Sequence, residues 1–347
     1  MKTFQQYLLA FCLVTTAGCA AAQSQQSFDS DLVQAIAAFI RTETESGFSG
    51  AVIVQHHGKL LLDKAYGSLQ GVTMTPVMRF WIASLGKQFT SAAILKCQEK
   101  GWLTIDDPIS RFIPAAPEDK RAITIKQLLA HVSSLSANGV SETAKNRDEA
   151  IKSILNEPLA DRPGVRFIYS SDNYQLAAAL IEIVSGKSYE EFVRTELFEL
   201  VGMRDTGQVI AGRDPTVAPT IQTIPARLLQ RRWGQMGYYS TTRDLLKWCI
   251  ALRTGAVLSQ ESVKQLFSPV APIQEGFAAL GWFIAKTDRG VRRIFSRGNE
   301  GFGANGLIYI YPDTDTAIIV LTHAGNNNDN ISYSRAVQAK IEQILFP

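Results

Sequence analysis

Excess charge of either sign is what this sequence has least of: 35 Lys and Arg against 32 Asp and Glu leave a formal net charge of +3 over 347 residues. That is too little for the basic stripe that tracks a nucleic-acid backbone. Long apolar runs are scarce as well, and the stretch near the start, Tyr7 to Val14, is too short to cross a bilayer as a stable helix. There is no collagen period, internal repeat or low-complexity tract beyond a short Gln/Ser run after residue 22. Four cysteines, Cys12, Cys19, Cys97 and Cys249, make no disulfide framework. No His/Asp/Glu cluster has the spacing of a metal site, and no cofactor motif is present, so zinc chemistry is not expected. What remains is 46% apolar and 19% charged, enough to bury a substantial core in one large domain or two average ones.

The start is organised as a targeting segment. Lys2 precedes the apolar stretch, and Ala20, Ala21 and Ala22 offer a small-residue cleavage site before Gln23, which makes 1–22 an export signal and 23–347 the mature chain. Thr16, Ala17, Gly18 and Cys19 also resemble a bacterial lipobox, with Thr as a departure at its first position. Two fates stay open: cleavage before Gln23, giving a periplasmic protein, or acylation of Cys19, giving an outer-membrane lipoprotein anchored to the membrane by its lipid. Cys97 and Cys249 each fall in a helical pattern with apolar neighbours and are expected to be buried free thiols.

Helical spacing of Leu32, Ile36, Phe39 and Ile40 opens the mature chain, with Asp29 or Ser30 as cap. Two strand-like runs follow, 51–55 and 59–66, joined through His57 and Gly58. From Ser84 to Lys100 the apolar residues crowd on nearly every face, which predicts a buried central helix stopped by Gly101. Helices are expected near 124–133, 147–156, 171–185 and 188–200, and again from Thr241, where Thr241 and Asp244 form a capping-box-like pair. After about residue 277 strand patterns return, and a last helix spans 331–346. Strands from both chain ends with helices between predict an antiparallel sheet lobe (29–83 and 277–347) flanked by helices, plus a helical lobe (84–276). Active sites favour such lobe interfaces.

Ser84 and Lys87 form an S-x-x-K pattern, weak by itself but placed where the extended FWIA run turns into the buried helix. The i, i+3 spacing puts the amine on the same face as the hydroxyl. A serine is a poor nucleophile until a base takes its proton, and a desolvated lysine can be that base. Free N–H groups at a helix start can hold the oxyanion formed in acyl transfer.

Taken with FWIASLGKQFT (80–90), LTIDDPISRFIP (103–114), ITIKQLLAHVSSL (123–135), FIYSSDNYQLAAALIEIVSGKSYEEFV (167–193), LFELVGMRDT (197–206), GYYSTTRDLLKW (237–248), LGWF (280–283) and IYIYPDTDTAIIVLTH (308–323), the chain resembles the serine β-lactamase and penicillin-binding protein superfamily, on the branch similar to class C β-lactamases. The resemblance covers nearly the whole mature chain. It implies an α/β (α+β) β-lactamase/transpeptidase-like fold and an acyl-serine mechanism at the lobe interface.

The family's second motif, Tyr-x-Asn, is matched at Tyr169, about 85 residues after Ser84, where Tyr169 and Lys87 would share proton transfer to and from Ser84. The Asn position is Ser171, a departure that weakens amide recognition there. A competing register, Ser171-Asp172-Asn173, spells the S-D-N of class A enzymes. Tyr169 is preferred because Phe167 and the Tyr174–Glu182 stretch fit the class C-like register. The third motif, Lys-Thr-Gly or His-x-Gly in the family, corresponds to Ser296, Arg297 and Gly298, which lack the first-position cation or imidazole. Strand alternation turns Arg297 away if Ser296 faces the site.

Lys286-Thr287-Asp288, His56 with Gly58, and His323 with Gly325 imitate that motif at a turn, in the first hairpin and after a later strand. His131 is expected to pin a loop and not to catalyse. Tyr238, Tyr239 and Trp233 stand between cleft lining and core packing, Arg231 and Arg232 read as a solvated loop, and Gly301 and Gly303 as a turn beside the site. The expectation is an exported serine hydrolase acting on a small-molecule, peptide or ester substrate, with an esterase or D-amino-acid peptidase ahead of a β-lactamase. A family member with a binding or scaffolding role at the envelope is the rival.

Overall fold

A computed structural model describes residues 29–208, 234–299, 305–326 and 332–347. The segment expected to be an export signal, with Cys12 and Cys19, the Arg231, Arg232 and Trp233 group, and Gly301 and Gly303 lie outside the described residues.

Helix α1 covers 29–45 and leads into the hairpin β1 (Gly50–His56) and β2 (Lys59–Tyr66). Its turn is His57–Gly58, both at positive φ (48 and 73), the two-residue geometry whose twist matches the flanking strands. Short strands β3 (Ser68–Leu69), β4 (Val72–Thr73) and β5 (Phe80–Trp81) follow. The helical part contains α2 (Lys87–Glu99), α3 (Ile125–Leu129), α4 (Arg147–Asn156), α5 (Ser171–Ser185) and α6 (Tyr189–Val193). After β6 (Gly207–Gln208) and β7 (Tyr238–Ser240) come α7 (Thr242–Thr254) and α8 (Gln260–Leu266). The chain then returns through β8 (Ala271–Ile273), β9 (Gly276–Ala278), β10 (Phe283–Lys286), β11 (Arg292–Asn299), β12 (Asn305–Tyr311) and β13 (Thr316–Thr322), and ends in α9 (Tyr333–Leu345).

Eight of these strands form one antiparallel sheet in the order β2-β1-β13-β12-β11-β10-β9-β8. The first strand is zipped onto the last, Ile53 opposite Ile319, because both are continuous apolar runs that need cover on two faces. Alternation divides that cover. Val52, Val54, Phe295, Leu307, Tyr309 and Val320 pack against Ile36 and Ile40 of α1 and Val337 and Ile341 of α9. Ile53, Ile294, Ile308 and Ile319 face the helical side and its large core. The antiparallel sheet built from both parts of the chain and flanked by helices, as the order of elements in the sequence predicts, is the one found.

Several boundaries differ from the sequence expectation for local reasons. The central helix starts at Lys87; Ala83–Gly86 is a separate 3-10 turn, entered through Ala83 at φ 47. The helix at 124–133 is cut to Ile125–Leu129, capped by a reciprocal Thr124/Gln127 box and ended by His131 and Ser134, both in the left-handed region. The helix at 188–200 runs only to Val193 before a wider turn over Arg194–Phe198 and a 3-10 turn over Glu199–Val201. Thr241 caps α7 as its spacing predicts, accepting from the Asp244 N–H. Cys97 and Cys249 are free and buried, and burial pushes each thiol up to about 12, so neither offers a ready thiolate.

Candidate active site

The site is assembled where the helical part meets one end of β11 and β12. Strand β5 pairs with β7, Trp81 opposite Tyr239, and the Ile82 N–H donates to the Tyr238 carbonyl at 3.0 Å, so the chain enters the Ser84 turn from a fixed direction. Gly86 lets that turn lie against Tyr238, since a Cβ there would stand 2.5 Å from the ring. From Lys87 to Leu95 every residue of α2 is buried, as suits a helix enclosed on all sides.

Ser84 Oγ lies 3.0 Å from Lys87 Nζ and 2.8 Å from the Tyr169 hydroxyl. Lys87 is 3% exposed. Its Nζ also donates to the Gln235 carbonyl at 3.0 Å and sits 5.0 Å from the Tyr169 ring and 5.7 Å from the Tyr174 ring. Among the described residues no carboxylate lies within ion-pair distance of it. Carbonyl and aromatic faces are thus what stabilise this amine away from water.

Tyr169 reaches Ser84 from the segment before α5, which is strapped to 131–136 by backbone bonds: Gly164 N to Val132 O at 2.7 Å, Ile168 N to His131 O at 2.8 Å. His131 completes the strap. Its Nδ1 accepts from the Ser170 N–H at 3.2 Å, so the Asn173 amide, also at 3.2 Å, must donate to the same lone pair and the ring proton belongs on Nε2. Burial, and next the Lys87 charge, hold the His131 pKa well below the usual histidine range, which keeps the ring neutral.

Strand β11 forms the facing wall. Ser296 is buried and shares its sheet face with Ile294 and Gly298. Gly298 has no room for a side chain: a Cβ would meet the Ile82 carbonyl at 2.2 Å and the Leu85 nitrogen at 3.1 Å. Beyond the Phe283–Phe295 pair, β10 no longer accompanies β11, and Ser296–Asn299 pairs with β12 alone. The cleft holds a cavity of about 20 Å3 bounded by Ser84, Lys87, His131, Tyr169, Phe283 and Ser296.

The structure therefore brings Ser84, Lys87, Tyr169, Ser296 and Gly298 together. It turns the Arg297 guanidinium onto the opposite face, 4.5 Å from the Phe295 ring and ion-paired with Glu275, which Arg335 also contacts at 3.0 Å. Ser171 opens α5 half-buried, and no hydrogen bond of Ser84 or Lys87 reaches it. The rest of that triplet is committed elsewhere: Asp172 accepts from the Val140 and Ser141 N–H groups and the Ser141 hydroxyl, and Asn173 from Ser133 at 2.5 Å. Tyr238 is a core residue bonded to Tyr189 at 2.7 Å, and Tyr239 lies under Arg79. The motif look-alikes stay apart. Lys286 ends β10, His56 bonds Thr316 at 2.8 Å, and His323 follows β13 with burial lowering its pKa to about 4. Among the described residues no group of acidic, His and Cys side chains could hold a metal ion. Sequence reasoning missed Gln235, which acts through a backbone carbonyl that no side-chain pattern reveals.

Residues 33–342 match the family model Beta-lactamase. The chain belongs to this family. Within it, the chain is 27% identical over 337 residues to penicillin-binding protein 4* of Bacillus subtilis, covering 86% of this chain and 72% of that one. It is 26% identical over 306 residues to the teichoic acid D-alanine hydrolase of Staphylococcus aureus, covering 82% and 73%. Among solved structures, the octameric penicillin-binding protein homologue from Pyrococcus abyssi aligns with a TM-score of 0.74 at 23% identity, covering 89% of this chain and 78% of that one. The D-amino acid amidase from Ochrobactrum anthropi SV3 aligns with a TM-score of 0.75 at 18% identity, covering 91% and 98%. This β-lactamase-family member is a serine hydrolase of the β-lactamase and penicillin-binding protein group.

Proposed function

We propose that the protein is an exported hydrolase in which Ser84 forms an acyl-enzyme, with Lys87 and Tyr169 moving the proton. The observation that carries this is the position of Ser84 Oγ between Lys87 Nζ (3.0 Å) and the Tyr169 hydroxyl (2.8 Å). Lys87 Nζ and the Tyr169 hydroxyl both donate to Ser84 Oγ, and while both are protonated neither is a base strong enough to take the Ser84 proton; attack on a carbonyl therefore requires the neutral amine or the phenolate. That group takes the Ser84 proton as the Oγ–carbonyl bond forms and returns it to the leaving group. The N–H of Ser84 and those of Arg297–Asn299 on the open edge of β11 would hold the oxyanion. Water then attacks the acyl carbonyl by the same route in reverse and frees Ser84.

The favoured substrate is an uncharged ester. A β-lactam or D-peptide carries a carboxylate that wants a cation in the cleft, and Glu275 already engages the guanidinium of Arg297 on the far face. Losing a charge-assisted hydrogen bond costs about 1.5–3 kcal/mol, or one to two powers of ten in rate if it acts in the transition state. Relatives named a teichoic acid D-alanine hydrolase and a D-amino acid amidase keep D-amino-acid esters and amides as the next class. Export rests on the 1–22 signal, with Cys19 lipidation as its membrane-anchored variant; among the described residues no helix is long and apolar enough to cross a membrane.

The deciding experiment sets short-chain p-nitrophenyl esters beside penicillins and cephalosporins on one preparation, with Ser84→Ala as background. Esters should have the higher kcat/KM, and Ser84→Ala should lose hydrolysis and fluorophosphonate labelling together. Wild-type turnover in Ser84→Ala would remove the nucleophile assignment. A cephalosporin cleaved faster than every ester would reverse the substrate ranking. Absence of both labelling and turnover in the wild type would favour a binding role.

A further inference from the structure

At the other end of the sheet from Ser84 the surface opens into a pocket of about 440 Å3. Its floor is Ile294 and Ile310, cross-strand partners on β11 and β12, and its walls are Ile250 of α7 and Phe267 just after α8. None of these belongs to the Ser84 cleft.

The rim has a different character. Lys264, Arg292, Arg253 and Asp315 all border the opening. Asp315 is matched, accepting from Arg253 at 2.6 Å and from the Gln55 amide at 3.1 Å. Lys264 and Arg292 are exposed, and among the described residues neither has a carboxylate within ion-pair distance. An apolar trough of the size ligand pockets usually have thus carries two uncompensated positive charges at its mouth.

We propose that this cavity binds a free fatty carboxylate: an unbranched alkyl chain lying on Ile294, Ile310, Ile250 and Phe267, with its head group between Lys264 and Arg292. The pattern fits an amphipathic anion because the apolar part removes methylenes from water while the rim supplies the countercharge. An uncharged alkane would leave the cations unused, and a cationic amphiphile would be repelled by them.

Titration calorimetry of the full mature chain with dodecanoate tests the assignment. One saturable site is expected, with decanoate bound about fifteen-fold more weakly, since each methylene is worth roughly fourfold. Lys264→Glu with Arg292→Glu, on an exposed rim, should weaken dodecanoate by about tenfold while leaving ester hydrolysis and Tm near wild type. Ile250→Trp should abolish binding by filling the trough. The proposal is overturned if wild type shows no saturable site, if the charge-reversed chain binds as tightly, if Ile250→Trp binds unchanged, or if dodecyltrimethylammonium competes equally. Binding of anionic phospholipid vesicles with no response to dodecanoate would likewise overturn it in favour of a membrane surface.

Discussion

The His131 imidazole is stacked on the Tyr169 ring, centroids 4.4 Å apart and planes 29° apart, while its Nδ1 is tied to Ser170 and Asn173. This contact sets the plane from which the phenol reaches Ser84, although Tyr169 itself is 40% exposed. His131→Asn tolerates the left-handed backbone and keeps an acceptor for the Ser170 N–H, so it removes chiefly the ring. Ester kcat should fall about tenfold with KM little changed, and the same substitution in a Tyr169→Phe background should cost less than about twofold. Fully additive losses would confine His131 to holding its loop.

Gly298→Ala should reduce ester kcat/KM by about a hundredfold or more, because its methyl group would push β11 off the Ile82 carbonyl and out of register with the Ser84 turn. Overpacking of this kind also lowers stability by about 1–3 kcal/mol. Steady-state kinetics beside thermal melts check both numbers, and unchanged kinetics would remove β11 from the catalytic wall.

Arg297→Ala should leave ester kcat/KM within about threefold of wild type, since its charge is engaged with Glu275 on the face away from Ser84 and a partly exposed pair is worth about 1 kcal/mol or less. Ser296→Ala, on the cleft face, should have the larger effect. The opposite order, read from parallel kcat/KM measurements, would mean that Arg297 swings into the cleft with substrate.

Stability should decline on acidification below about pH 6.5. Burial depresses the pKa of His131 and His323, the latter to about 4, so the unfolded chain takes up protons that the folded one refuses. Their contribution is complete above the unfolded value and shrinks as pH falls toward 4, with His323 alone accounting for on the order of 3 kcal/mol. The carboxyls held low, among them Glu275 beside Arg297, lose their share only at lower pH. Tm measured from pH 8 to 4 should show the first decline, and His323→Phe should flatten part of it. A Tm independent of pH above 4.5 would contradict the burial of neutral histidines.

Much of this was legible from residue patterns. The helices at 147–156 and 171–185, the Thr241 cap and the strands from both termini follow from periodicity and capping, which are local properties. Ser84 and Lys87 are named by their spacing and by where the extended run turns into the buried helix, and Tyr169 by the resemblance to the family's second motif. The 3-10 turn before Lys87 could not be named in this way, because it depends on Ala83 entering the left-handed region and on Tyr238, about 150 residues on, lying against Gly86. The Gln235 carbonyl and the stacking of His131 on Tyr169 are products of tertiary packing in the same way. Arg297 stands at the third-motif position, but alternation along β11 turns its side chain to the face of Phe295, away from Ser84.

The pairing of β1 with β13 also governs when this molecule can become whole. A nascent chain that ends before Thr316 carries the β1–β2 hairpin with one apolar edge and both faces wanting partners, and two-stranded hairpins are barely stable alone. The middle of the sheet can close only after almost every residue has been synthesised, a distant pairing of the kind that slows folding. Once β13 is seated, segments from opposite ends of the described chain are fastened by one ladder of backbone bonds, so neither can be drawn away without opening the centre of the sheet.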